Sequence, residues 1–214
     1  MNASGRGPGP LRIAGLISGG GSTIANIVQY IGDGQFAAEV VLTICSNSHA
    51  GGIERMRGLG VDVEIVARKQ FDSTEAFSDT VFSLVRDAKA DLICLGGFLS
   101  LLRIPDDYTH RVMNIHPALL PSFGGHGIYG HHVHEAVLAA GCKVSGCTVH
   151  FADNEYDCGP IIVQRTCAVE EDDTLDTLAD RVMAEERIAY PEAINLFAAD
   201  RLRVEDQRVR VLPA

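Results

Sequence analysis

Asn114 and His116, with the acidic loop holding Asp153, Glu155 and Asp157 further along, are the side chains best suited to chemistry on a carbonyl. An amide can donate to an oxygen that gains negative charge, an imidazole can move protons, and a carboxylate can hold that imidazole in place. The stretch "MNIHPALLPSF" (113 to 123) sets Asn114 and His116 two apart at the end of an apolar run. In a strand the pair shares one face and Ile115 takes the other. Pro117 lacks an N–H and restricts His116, and Pro121 repeats the effect, so the ladder stops with both polar side chains at its rim. In an open α/β sheet that rim is where ligands bind. A carboxylate beside His116 would favour the charged ring and raise a pKa that starts near ~6.5. Position before Gly159 and Pro160 favours Asp157 for that role over Asp153 and Glu155. Cys147 and Cys158 are near in sequence, but no base is placed to activate them, which favours direct transfer between two substrates. A histidine merely satisfied at a strand end is the competing reading.

A second feature is the glycine loop "ISGGGSTIANIV" (17 to 28), which follows an apolar run and opens a helical pattern. A dinucleotide fingerprint would need glycine where Ile24 stands, and a P-loop would need a lysine that the stretch lacks. Two readings remain open: a short anion nest in which Gly21, Ser22 and Thr23 hold one phosphate, or a tight turn capped by Ser22 or Thr23. His126, His131, His132 and His134 invite a metal reading, but no Cys or carboxylate completes a ligand set, so no metal is expected.

The elements that position these residues alternate: apolar runs of strand length between longer helical patterns, the rhythm of βαβ units. Strands are predicted near 11–18, 39–46, 61–67, 91–97, 111–116, 145–151 and 160–169. Helices are predicted over Thr23–Ile31, Gly51–Gly58, Ser73–Lys89, His131–Ala140 and Thr174–Phe197, the third opening on the capping pattern Asp72-Ser73-Thr74-Glu75. The fold class is α/β, a Rossmann-like, mostly parallel twisted sheet with helices on both faces. Residues 1–10 read as a flexible tail and 11–214 as a single domain.

Composition narrows the function. The 214 residues are 46% hydrophobic and 21% charged, with no apolar stretch long enough for a membrane span. A net charge of −10 repels a phosphate polymer, so the expected partners are small molecules rather than nucleic acid or membrane. Six cysteines without a C-x-x-C pair read as reduced thiols of a cytoplasmic protein, monomeric or homodimeric.

"SGGGST", "NIHPALLPSF", "SGCTVHF" and "DCGPIIVQ" occur in the order found in the folate-dependent formyltransferases that act on phosphoribosylglycinamide, and the resemblance covers about residues 11 to 203. It implies transfer of a formyl group from 10-formyltetrahydrofolate to the amine of 5-phosphoribosylglycinamide, in purine synthesis. On the same resemblance His116 is the general acid, Asn114 the donor to the formyl oxygen, and Asp157, promoted over Asp153 and Glu155, the carboxylate that raises the His116 pKa and orders a water. Gly21, Ser22 and Thr23 resemble the phosphate cradle, and Glu186 an acidic contact to the glycinamide substrate. Leu99, Ser100, Leu101 and Leu102 in "GGFLSLL" resemble the segment whose backbone binds the pterin, with Asn114 beside them. Thr23, Thr74 and Met183 depart from the family pattern; where relatives carry a folate-contacting Arg at the Thr74 position, Arg68 or Lys69 is expected to supply the charge. The stretch 124 to 137 resembles a lid over the folate site, with His126 near the ligand. The rivals are a 10-formyltetrahydrofolate hydrolase and a non-catalytic phosphate-binding module.

Overall fold

The computed structural model describes residues 9–213; of the expected tail, residues 1–10, the first eight lie outside the described residues. Parallel strands β1 (Leu11–Ile17), β2 (Ala38–Cys45), β3 (Val63–Ile65), β4 (Leu92–Leu95) and β5 (Val112–His116) are followed by β6 (Val144–Phe151) and β7 (Ile161–Ala168). The chain ends in a hairpin of β8 (Leu202–Glu205) and β9 (Arg208–Val211). The sheet order is β3-β2-β1-β4-β5-β6-β7-β9-β8. Direction reverses between β5 and β6 and again between β6 and β7, so the sheet is mostly parallel but mixed.

Period-two alternation sends successive side chains of β1 into two separate layers. Leu11, Ile13 and Ile17 pack with α1 (Ser22–Gly32), α2 (Gly52–Gly58), α4 (His131–Ala139) and the long α5 (Leu175–Ala198). Ala14 and Leu16 face the opposite layer, where α3 (Thr74–Asp87) supplies Phe77, Val81, Phe82 and Val85. Helices therefore cover both faces, as a buried parallel sheet requires. The N-cap of α3 is Ser73, accepting from the Ala76 N–H at 3.0 Å, one residue later than a box built on Asp72 and Glu75 would begin. The reciprocal capping box occurs instead at Thr174 and Thr177 of α5.

The β8–β9 hairpin is not among the predicted strands. Its "LRVEDQRVRV" alternates apolar and charged residues around Asp206, at φ +54°, and such a pattern reads equally as a solvated tail. β3 spans three residues of the predicted seven-residue run 61–67.

A buried hydroxyl ties α5 to the centre of the sheet. Tyr190 on α5 is fully buried, and its hydroxyl lies 2.8 Å from the Met113 carbonyl of β5 and 3.1 Å from the Leu95 carbonyl of β4. With one hydrogen to give, it is shared between the two strand ends.

Candidate active site

β5 ends at His116, with Pro117 next, and the loop beyond is held by Thr148 of β6, which accepts from the Leu120 N–H and donates to the Ala118 carbonyl. The antiparallel register puts Asn114 opposite His150 and His116 opposite Thr148. Asp157 arrives from the loop between β6 and β7, in the left-handed region at φ +58°. That loop needs Gly159, because a Cβ there would sit 1.8 Å from the Phe151 carbonyl oxygen. Asp157 Oδ2 accepts from the Gly125 N–H at 2.9 Å and lies 3.5 Å from His116 Nδ1. Neither Asp153 nor Glu155 makes such a contact; Asp153 instead accepts from the Glu155 N–H.

His150 completes the group. Its Nδ1 donates to its neighbour's carbonyl, that of Phe151, at 3.0 Å, so Nε2 keeps a lone pair and accepts from Asn114 Nδ2 at 3.1 Å. The second hydrogen of that amide points to Asp157 Oδ1 at 3.4 Å. Both amide hydrogens are thus engaged at rest, and the longer bond is the one a ligand oxygen would displace. Sequence reasoning missed His150 because only the β5–β6 pairing reveals that it faces Asn114.

The electrostatics depart from expectation in one respect. Burial pushes the His116 ring below its ordinary pKa; the Asp157 charge and the Phe123 carbonyl, 2.8 Å from Nε2, act upward without overcoming it, and His150 adds to the fall. The expected upward shift is therefore corrected, since the carboxylate is present but desolvation outweighs it. For Asp157 burial acts upward, but the neighbouring His150 and His116 rings, 3.7 Å and 3.5 Å away, and the Gly125 N–H together hold the carboxyl below the usual carboxylate range.

These side chains open onto a cavity of about 370 Å³, also lined by Leu99, Ser100, Leu101 and Leu102 and by His126 on the 124–130 loop. Arg68 is not brought there: its guanidinium donates to the Phe71 carbonyl and to Thr74 Oγ1, and lies over the Phe77 ring. The expectation that Arg68 supplies at this cavity the charge missing at Thr74 is corrected for that reason: Arg68 does not line it and bonds Thr74 instead.

The glycine loop forms a second, smaller pocket. Gly21, at φ +67°, is the N-cap of α1 and brings no side-chain cap, so α1 begins at Ser22 with its first N–H groups uncapped. Ser22, Thr23, Asn26, Met183, Glu186 and Arg187 line this pocket. Burial pushes the Glu186 carboxyl up to about 7, against the pull of Arg187. Met183 Sδ accepts from the Arg187 guanidinium at 3.5 Å. Gly52 closes the loop from α2: its N–H donates to the Gly19 carbonyl, and a Cβ there would lie 2.5 Å from the same oxygen. Ser18, at the start of the glycine loop, accepts from the Leu99 N–H at 3.0 Å and shares a hydrogen with Ser46 at 2.6 Å.

Of the four loop and helix histidines, His134 is buried with Nδ1 unpartnered, whereas His131 and His132 are exposed. Among the described residues no group of three or more His, Cys, Asp or Glu side chains is placed to hold a metal ion, and no helix is long and apolar enough to cross a membrane.

The formyl transferase family model matches residues 11–194. The chloroplastic phosphoribosylglycinamide formyltransferase of Arabidopsis thaliana is 34% identical, over 99% of this chain and 74% of that protein. The trifunctional purine biosynthetic protein adenosine-3 of Bos taurus is 33% identical over 92% of this chain, which spans 19% of that longer protein. Among solved structures, glycinamide ribonucleotide transformylase 1 from Symbiobacterium toebii superposes with a TM-score of 0.89 at 39% identity, covering 95% of each chain.

Proposed function

This chain belongs to the formyl transferase family, and from that premise we propose that it moves a formyl group from 10-formyltetrahydrofolate to the amine of 5-phosphoribosylglycinamide, a step of purine synthesis. Relatives bearing the name of that activity align along nearly the whole chain. The observation that carries the reading is the convergence of Asn114, His116, Asp157 and His150 on one cavity that Leu99–Leu102 also line.

In this reading the pterin lies along Leu99–Leu102, whose main chain can match an edge of alternating donors and acceptors. The 5-phosphate sits at the first N–H groups of α1, beside Gly21, Ser22 and Thr23, and Glu186 meets the glycinamide end. The amine nitrogen attacks the formyl carbon, and the formyl oxygen takes the electron pair. Asn114 turns one N–H from Asp157 to that oxygen. His116, whose burial favours the uncharged ring, accepts the proton that the amine sheds, directly or through a water held by Asp157, and in its charged form faces the oxyanion. When the carbon–N10 bond breaks, the proton goes to N10, and a ring with a lowered pKa is the better donor for that step. Residues 11–213 act as one domain, and the reaction takes place in the cytoplasm without a resident metal.

The test is the absorbance change as tetrahydrofolate forms, with and without 5-phosphoribosylglycinamide. Product only when the amine is present is the expected result. Product without it indicates a hydrolase, and no product with either indicates a binding module.

A further inference from the structure

Strand β7 leaves most of its outer edge open. It pairs with β6 along its length but meets β9 through a single residue pair, Ile161 with Arg208. The bond from the Val169 N–H to the Lys143 carbonyl fixes the phase of the β6–β7 ladder. Antiparallel ladders alternate, so Val163, Arg165 and Cys167 turn their N–H and C=O groups toward β6, and Gln164, Thr166 and Ala168 turn theirs outward. In keeping with that phase, the Ala168 carbonyl accepts from Arg181 Nη1 at 2.9 Å rather than from a strand. Gln164, Thr166 and Ala168 are all exposed. The sheet's two terminal strands are guarded in the usual way: β3 is three residues long with Glu64 at its centre, and β8 is four residues long with Arg203 and Glu205. The stretch from Gln164 to Ala168 has neither lysine nor proline to protect it.

We propose that this edge pairs with the same edge of a second copy, antiparallel about a two-fold axis at Thr166. In that register Thr166 faces its own counterpart and Gln164 faces Ala168, so every outward N–H in the stretch meets a carbonyl. The Ala168 carbonyl has two lone pairs and keeps Arg181 while accepting the new bond. Charge favours this strip over other surfaces of a chain that carries −10, because its one charge, Arg165, is already matched by Glu185 at 2.7 Å. Beyond the paired stretch, Glu170 and Glu171 of one copy run toward the end of the strip where exposed Arg208 of the other begins β9. Symmetry makes that attraction twice. An open groove beside the strip, with Ile162, Leu196 and Val211 in its wall, supplies apolar surface to the contact.

Sedimentation across the micromolar range tests the pairing. The expected result is a concentration-dependent dimer that Thr166→Pro converts to a monomer, since proline deletes an outward N–H and leaves the β6 ladder intact. Thr166→Lys, which keeps the backbone donor, is expected to give the same result by placing like charges on the axis. Formyl transfer per subunit stays unchanged in both. In a Cys167→Ser background, Thr166→Cys should cross-link under oxidation, because facing Cα atoms in such a pair stand about 5.5 Å apart. A monomer at every concentration, or a dimer that persists in both substituted chains with no cross-link through position 166, overturns the proposal.

Discussion

Asn114 and His150 stand opposite each other across β5 and β6, with Nδ2 and Nε2 3.1 Å apart. The bond orients the amide so that its NH₂ group, rather than its oxygen, faces Asp157. An acceptor at position 150 is what keeps that orientation. His150→Ala is expected to lower kcat by about 10-fold to 10²-fold with KM values little changed, as when the support of an active-site group is removed. His150→Gln, whose side-chain oxygen can accept the same N–H, should recover part of the loss. Steady-state kinetics of the two variants checks this.

Asp157 touches every other polar member of the site, so its charge should matter beyond its shape. Asp157→Asn preserves volume but removes the negative charge facing His116 Nδ1. Turnover is expected to fall by at least ~10², and His116→Ala by a similar factor, with substrate binding largely kept. Single-turnover measurement separates the chemical step from binding.

Glu186 gives a prediction about pH. Burial raises its carboxyl from 4.5 to about 7 in the folded chain. Between those values the folded state holds a proton that the unfolded chain has released, so this group's contribution to stability is lost as pH rises through about 7. Glu186→Gln removes that dependence. The variant should melt higher than the parent by a margin that opens as the pH goes from about 5 to about 8, while KM for the ribonucleotide rises. Thermal melts across that range, with kinetics at neutral pH, read both effects.

Gly52 tests the proposed phosphate loop from outside the pocket. A Cβ there would press on the Gly19 carbonyl and on Ile17 Cδ1 at 2.6 Å. Gly52→Ala is expected to raise KM for 5-phosphoribosylglycinamide severalfold and to leave folate affinity unchanged. Titration with each substrate alone distinguishes a displaced loop from a general loss of structure.

The main elements of the fold could be read from residue patterns because the central parallel strands β1, β4 and β5 are buried on both faces and the helices show an apolar stripe. The β8–β9 hairpin could not, since its alternation is mostly charged and its role depends on a partner strand far away in sequence. Asn114 and His116 could be placed together because strand geometry alone determines that relationship. Their link to Asp157 was favoured only weakly by its position before Gly159 and Pro160 and rested mainly on family resemblance, as position within an acidic loop does not show which carboxylate turns inward. The sign of the His116 shift was not readable either: one neighbouring charge can be inferred from sequence, whereas the degree of desolvation depends on everything packed around the ring.

The shared hydroxyl of Tyr190 has a mechanical meaning. It binds helix α5, one turn beyond Glu186, to the main chain next to Asn114, and to the end of β4 just before the loop that carries Leu99. On the proposed assignment, the residues that would hold the two reactants are therefore gauged from a single datum, and any shift of the helix is felt at both strands through one hydroxyl.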